Sequence, residues 1–231
     1  EETSTIRFGT FDLVRSDWRK YGKNIAANYT PPSTIPGSPT IDNEGTNPLS
    51  DSDNSNFFVG SINLEENALN QPPYVLPPGI DRQILSGNSG AQRQNESSLY
   101  MKVKDLKSDQ ARGVFKNTTL DMRRYKNLKL FVHAENTRPL ADITKVDENA
   151  KFFIRFGNDA TDNYYEYEAS LKYTASNARS PLEIWPFENT VDLEIQKFVD
   201  AKLARDQIGS TIFGNRYRYS EYGDDNTRIY I

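Results

Sequence analysis

The 231-residue chain contains no cysteine and a single histidine. Without thiols there is no disulfide framework, no thiolate nucleophile, no cysteine-bearing zinc site and no iron–sulfur cluster. The lone imidazole, His133, excludes every multi-histidine metal site, and any Ser-His-Asp relay would have to pass through it. No G-x-S-x-G elbow supplies the serine, so His133 reads as a hydrogen-bonded structural residue. An excess of positive charge is missing as well. Lys plus Arg total 28 against 32 Asp plus Glu, a net charge of -4, which leaves no electrostatic footprint for a nucleic-acid backbone. No apolar run approaches the ~20 residues that cross a bilayer as a helix, and the opening EETSTIRF lacks the basic and apolar regions of a signal peptide.

What is present is the material of a loop-rich globular fold. Hydrophobic residues make up 36% of the chain, while a mean hydropathy of -0.74 assigns a large share to loops and solvated faces. IRFGTFDLV at 6–14 reads as a strand with a bend at Gly9, and SDWRKY as a short helical turn capped by Ser16 or Asp17. Residues 28–56 hold five of the twelve prolines without either structural period and read as a long exposed loop or linker. FFVGSINLEEN at 57–67 resumes a strand with Phe58, Ile62 and Leu64 on one side, and a polar stretch, SGNSGAQRQNES, precedes the main β body at 99–231. There LYMKVKDL alternates Leu99, Met101 and Val103 against Tyr100, Lys102 and Lys104, the signature of a half-buried strand. ARGVFKN at 111–117 and NLKLFVHAEN at 127–136 predict two more strands, the second apolar on both faces and therefore central.

The clearest unit is KFFIRFGNDATDNYYEYEASLKYT, a hairpin with Phe152, Ile154 and Phe156 on one face of its first strand and Tyr165, Tyr167, Ala169 and Leu171 on one face of its second. One α-helix is predicted over about 190–208, its stripe formed by Val191, Ile195, Phe198 and Val199, with Asn189 as N-cap, Asp192 at N3 and Gly209 after its end. Further strands follow in TIFGNRYRYSEY and TRIYI. Mostly antiparallel strands, one helix and long loops predict a mainly β fold, an antiparallel β-sandwich or jelly roll.

Each candidate constellation has a bland competitor. Glu166 and Glu168 lie two apart on one strand and read as a solvated face, because glycosidase carboxylates flank a cleft from different strands. Asp159, Asp162 and Asn163, or Asp224, Asp225 and Asn226, carry oxygen ligands suited to calcium, against the ordinary reading of turn residues. DSDNS at 51–55 imitates an EF-hand start, but Asn56 stands where the glycine belongs. Tyr164, Tyr165, Tyr167, Trp185 and Phe187 could stack on sugar rings, although core packing accounts for most aromatics. In YVLPPGIDRQ, Pro77, Pro78 and Gly79 read as a rigid element that cannot donate backbone bonds at 77 and 78, with Arg82 available to pair with a carboxylate.

The blocks IRFGTFDLVRSDWRKY, VGSINLEEN, YVLPPGIDRQ, ARGVFKN, DMRRYKNLKLFVHAE and FIRFGNDATDNYYEYEASLKYT occur in this order across residues 6–173, with looser similarity through IWP and the helix after it. Together they resemble the recurring large domain of the SprA/Sov family, the outer-membrane translocon of the type IX secretion system of Bacteroidetes, tied also to gliding motility. The resemblance implies protein conduction through a very large β-barrel. It implies as partners the remainder of that barrel, PorV-like and plug components and secreted substrates, at the outer membrane on its periplasmic or surface side. The chain is too short for the barrel and lacks its alternating decads, so the resemblance implies that 1–231 is one domain fragment of a larger protein, soluble and non-catalytic, with no cofactor and no membrane span of its own. The competing expectation is a carbohydrate-binding β-sandwich module of an envelope polysaccharide system, which requires a solvent-facing platform of Tyr165, Tyr167 and Trp185.

Overall fold

The structure is a computed structural model that describes residues 18–22, 24–25, 56–87, 90–106, 110–136, 150–160, 163–208, 218–219 and 227–230. The expected strand at 6–14, nearly all of the 28–56 stretch and the clusters at 51–55 and 224–226 lie outside the described residues, as do Ser16, Asp17, Asp162 and Gly209.

Arg19 and Lys20, expected in a helical turn, form a short strand β1 (Arg19–Lys20) that pairs antiparallel with β6 (Val114–Phe115). The predicted strand at 57–67 divides into β2 (Phe57–Asn63) and a helical turn α1 (Leu64–Asn67). The reason is a reciprocal cap: Asn63 Oδ1 accepts from the Glu66 backbone N–H at 2.9 Å, and Asn63 Nδ2 donates to the Glu66 carboxylate at 2.8 Å. Inside the polar stretch lies a small hairpin, β3 (Ile84–Gly87) with β4 (Gly90–Arg93), which the lack of apolar alternation concealed. Then come β5 (Ser97–Val103), antiparallel to β2, and β7 (Asn127–Leu130), shorter than the predicted 127–136 strand. Among the described residues β7 pairs only with β10 (Val191–Glu194), so it is not the central strand its two-sided apolar pattern suggested.

The predicted hairpin is present as β8 (Lys151–Gly157) and β9 (Tyr164–Ser170), in register from Lys151↔Ser170 to Gly157↔Tyr164. Gly157 closes it because a Cβ there would stand 2.0 Å from the Asn163 carbonyl oxygen. Downstream lie a second short helix, α2 (Pro181–Ile184), then the long helix α3 (Gln196–Ile208) and the strands β11 (Arg218–Tyr219) and β12 (Thr227–Tyr230). The order β11-β12-β9-β8 makes the one four-stranded sheet among the described residues, and the other strands form two-stranded pairs.

The helix begins later than its predicted start. Val191, Leu193 and Ile195 are all buried while Asp192 and Glu194 are exposed, a period of two that belongs to a strand, and only Phe198 and Ala201 continue inward at helical spacing. Asn189 is no N-cap. It is 1% exposed, and its side chain pairs with both backbone groups of Lys172, accepting from the N–H and donating to the carbonyl at 2.8 Å each.

The main core joins Tyr167 and Ala169 of β9 to Val191 and Leu193 of β10, Ile195, and Phe198 and Ala201 of α3. A helix and a two-stranded ribbon therefore cover this face of the hairpin, and the described strands form a mixed, strand-rich architecture rather than the expected closed sandwich. Full burial of a side chain such as Leu193 is worth about 1.5–3 kcal/mol. A second cluster gathers Tyr74, Ala178, Ile184 and Trp185, with Ile62, Leu64, Val75 and Phe131 packed against it.

Candidate functional site

The second cluster is organised by the proline segment. Pro77 and Pro78 have no N–H to donate, and the chain reverses where the Ile80 N–H bonds to the Pro77 carbonyl at 3.1 Å, with Gly79 at φ 80°. Pro and then a left-handed Gly at the two central positions is the requirement of a type II turn, so this reversal is legible from PPGI. The segment is tethered on several sides. The Tyr74 N–H bonds to the Asn67 carbonyl at 3.0 Å, the Tyr74 hydroxyl meets Ser98 of β5, and the Trp185 indole N–H donates to the Val75 carbonyl at 2.9 Å. Arg82 closes the far end: its guanidinium donates to the Gln94 carbonyl at 2.8 Å, to the Arg93 carbonyl at 3.3 Å and to the Glu65 carboxylate at 2.9 Å.

Between α1, this segment and the start of α2 lies an open groove of about 470 Å³ lined by Leu64, Ala68, Val75, Leu76, Pro78, Ile80 and Pro181. The lining is apolar. Ile80 is 45% exposed on it, and Leu69 and Leu182, next in sequence to groove residues, are more exposed still. The α2 side is held by Glu183, whose carboxylate accepts from the Arg179 and Ser180 backbone N–H groups and from the Ser180 hydroxyl at 2.9–3.1 Å. Those bonds, the Ser180 backbone first, keep the Glu183 carboxyl below its usual value.

The expected site residues are distributed rather than gathered. Pro77, Pro78, Gly79 and Arg82 belong to the groove and its border. His133 lies behind it, past the end of β7, bonded to the Ile184 carbonyl at 2.7 Å and to Glu135 at 2.8 Å. Tyr165 and Tyr167 are in the other core, Tyr165 half-buried against Phe198 and Tyr167 buried against Phe152. With Tyr167 and Trp185 both buried, those three aromatics form no sugar platform; of the wider set, Phe187 alone is largely exposed, at 87%. Asp159 spends its carboxylate on Asn163, accepting from the backbone N–H at 2.9 Å and the side-chain amide at 2.6 Å, the ordinary chemistry of a hairpin loop. No group of three or more acidic or histidine side chains suited to a metal occurs among the described residues.

Glu166 contradicts the solvated-face reading. It is 1% exposed and paired with Arg155, its cross-strand neighbour in the hairpin. Arg155 also donates to the Ile25 carbonyl at 3.1 Å and stands 4.2 Å over the Tyr164 ring. Ile25 and Gly113, close to Phe153, cover this second face. The pair escaped sequence reasoning because the cover comes from residues more than forty positions away; the hairpin register alone carried a signal, since it sets Arg155 opposite Glu166.

No helix among the described residues is long and apolar enough to cross a membrane. The sequence profile of the SprA_N family, described as motility related/secretion protein, matches residues 1–231. The chain belongs to that family, which confirms the resemblance carried by its ordered blocks. Comparison with curated proteins finds no match.

Proposed function

We propose that this chain is a non-catalytic module of a type IX protein-secretion translocon in the cell envelope, and that the proline-segment groove is its working surface. Membership of a motility and secretion family over the whole chain carries this reading. The groove adds a physical basis: its lining is apolar, and the turn at 77–80 and the start of α2 border it. Its partners in this proposal are the rest of the translocon barrel, PorV-like and plug components, and passing substrate.

The first test is an immunoblot of fractionated source cells with an antibody against this chain. An outer-membrane species many times heavier than 26.3 kDa supports the proposal, and a soluble species near that mass overturns it. The groove is tested by Ile80→Asp in the chromosomal copy. Because Ile80 is 45% exposed, the variant is expected to change stability by no more than about 0.5 kcal/mol while lowering secretion and colony spreading. Unchanged secretion with normal protein levels removes the groove from the proposal.

A further inference from the structure

Three chain segments meet at His133. Its Nδ1 faces the Ile184 carbonyl at 2.7 Å and its Nε2 faces the Glu135 carboxylate at 2.8 Å. A carbonyl and an ionised carboxylate only accept hydrogen bonds, whereas a neutral imidazole carries one donor and one acceptor. Both contacts are satisfied together only when each ring nitrogen carries a proton. The Thr174 hydroxyl lies 3.2 Å from both Nδ1 and the Ile184 carbonyl and has one proton to give, so it serves one of the two at a time, and the 2.7 Å approach of ring nitrogen to carbonyl still requires a proton on Nδ1. Directly beyond Ile184 stands Trp185, its ring centroid 5.6 Å from that of His133 and its indole N–H on the Val75 carbonyl.

We infer that His133 is a proton-operated clamp on the groove: the charged ring ties the segment after β7 to the end of α2 and so holds Trp185 against the proline segment. Loss of the proton removes one of the two ring bonds and slackens the wall to which Val75 is fastened.

The surroundings favour the charged form. Burial of the ring opposes it and is the largest single influence, but the bonds from Glu135 and the Ile184 carbonyl, with the charge of Glu135, outweigh burial and raise the imidazole above its ordinary value. Glu135 is the charged group on the ring's own segment. From β5, Tyr100 has its phenol pushed up by burial first and by the charge of Glu135 second. Thr174, the Ile184 carbonyl and Trp185 are uncharged, and Glu183 of α2 is committed to Ser180 and Arg179. A folded-state value above the unfolded one means that the clamp stabilises fully below about 6.5, the ordinary imidazole value, and is lost as pH rises through the raised value. The chain has no cysteine and no second histidine, so no other side chain ordinarily titrates in that interval.

The test follows the single imidazole by NMR from about pH 6 to about pH 8.5, with thermal melts and Trp185 emission in a Trp18→Phe background. The expected result is an imidazole midpoint above the ordinary value, a melting temperature that falls through the same interval, and a parallel red shift of Trp185, both flat in His133→Gln. A midpoint at or below the ordinary value, or an unchanged slope of melting temperature in His133→Gln, overturns the clamp. Should His133→Gln fail to fold, Glu135→Gln decides: a lowered midpoint supports the clamp, and an unmoved one overturns it.

Discussion

The antiparallel pairs β2–β5 and β8–β9 are built from the same parts. Each has two seven-residue antiparallel strands in unbroken register, and each alternates apolar side chains. Their fates differ. In β8–β9 the second strand buries Tyr164, Glu166, Tyr167 and Ala169, residues of both faces. In β2–β5 Phe57 alone is buried, while Phe58, Leu99, Tyr100 and Met101 stand about 40–50% exposed. Phe58 is bordered instead by two lysines, Lys104 at 5.6 Å and Lys20 at 5.9 Å from its ring. Alternation thus specifies a strand, and burial depends on what the rest of the chain lays over it. The β9 strand gains β12 at its edge, β10 and α3 on one face, and Ile25 and Gly113 near the other.

The comparison breaks most severely at the buried ion pair. Removing one partner, Glu166→Ala, leaves the Arg155 charge in the interior and is expected to cost about 3–5 kcal/mol, read as a lower denaturant midpoint. The double substitution Arg155→Met with Glu166→Leu is expected to recover most of that loss, since an apolar pair of similar volume is often neutral. A double variant as unstable as the single one would mean that the pair itself, and not its uncompensated charge, holds the covered face. Next in size is Leu193→Ala in the strand over the hairpin, expected to cost about 2–5 kcal/mol because the site is 1% exposed. The smallest effect belongs to β2–β5: Met101→Ser, at a position 50% exposed, is expected to stay within about 0.5 kcal/mol. A loss of core size in thermal melts there would show that the ribbon is covered in solution.

Much of the local structure was legible in particular residues. Gly157 and the turn residues after it marked the hairpin, the prolines marked a rigid element at 77–78, and the ordered blocks identified the family. Expectation and structure part where two periods overlap. Val191 and Ile195 fit a helical stripe as well as a strand, and the choice went to the strand because β7 supplies a partner for four residues before the chain turns into α3. Asn189 fits a helix cap by local pattern, yet its side chain meets the backbone of Lys172, seventeen residues away. Of the candidate site, the proline segment was visible, while the groove was not: it needs α1, set by the Asn63–Glu66 cap, and Trp185, brought to Val75 across 110 positions.

What the sequence determined by itself is what depends on neighbours along the chain: the exclusions that follow from absent cysteine and a lone histidine, the turns, the main hairpin and the family. Tertiary structure alone decided which strand faces are dry, that Glu166 is an interior charge and that His133 faces two acceptors at once. The physical reason is that burial and hydrogen-bond satisfaction are settled between segments distant in the chain, and a single side chain carries no record of which segment will cover it.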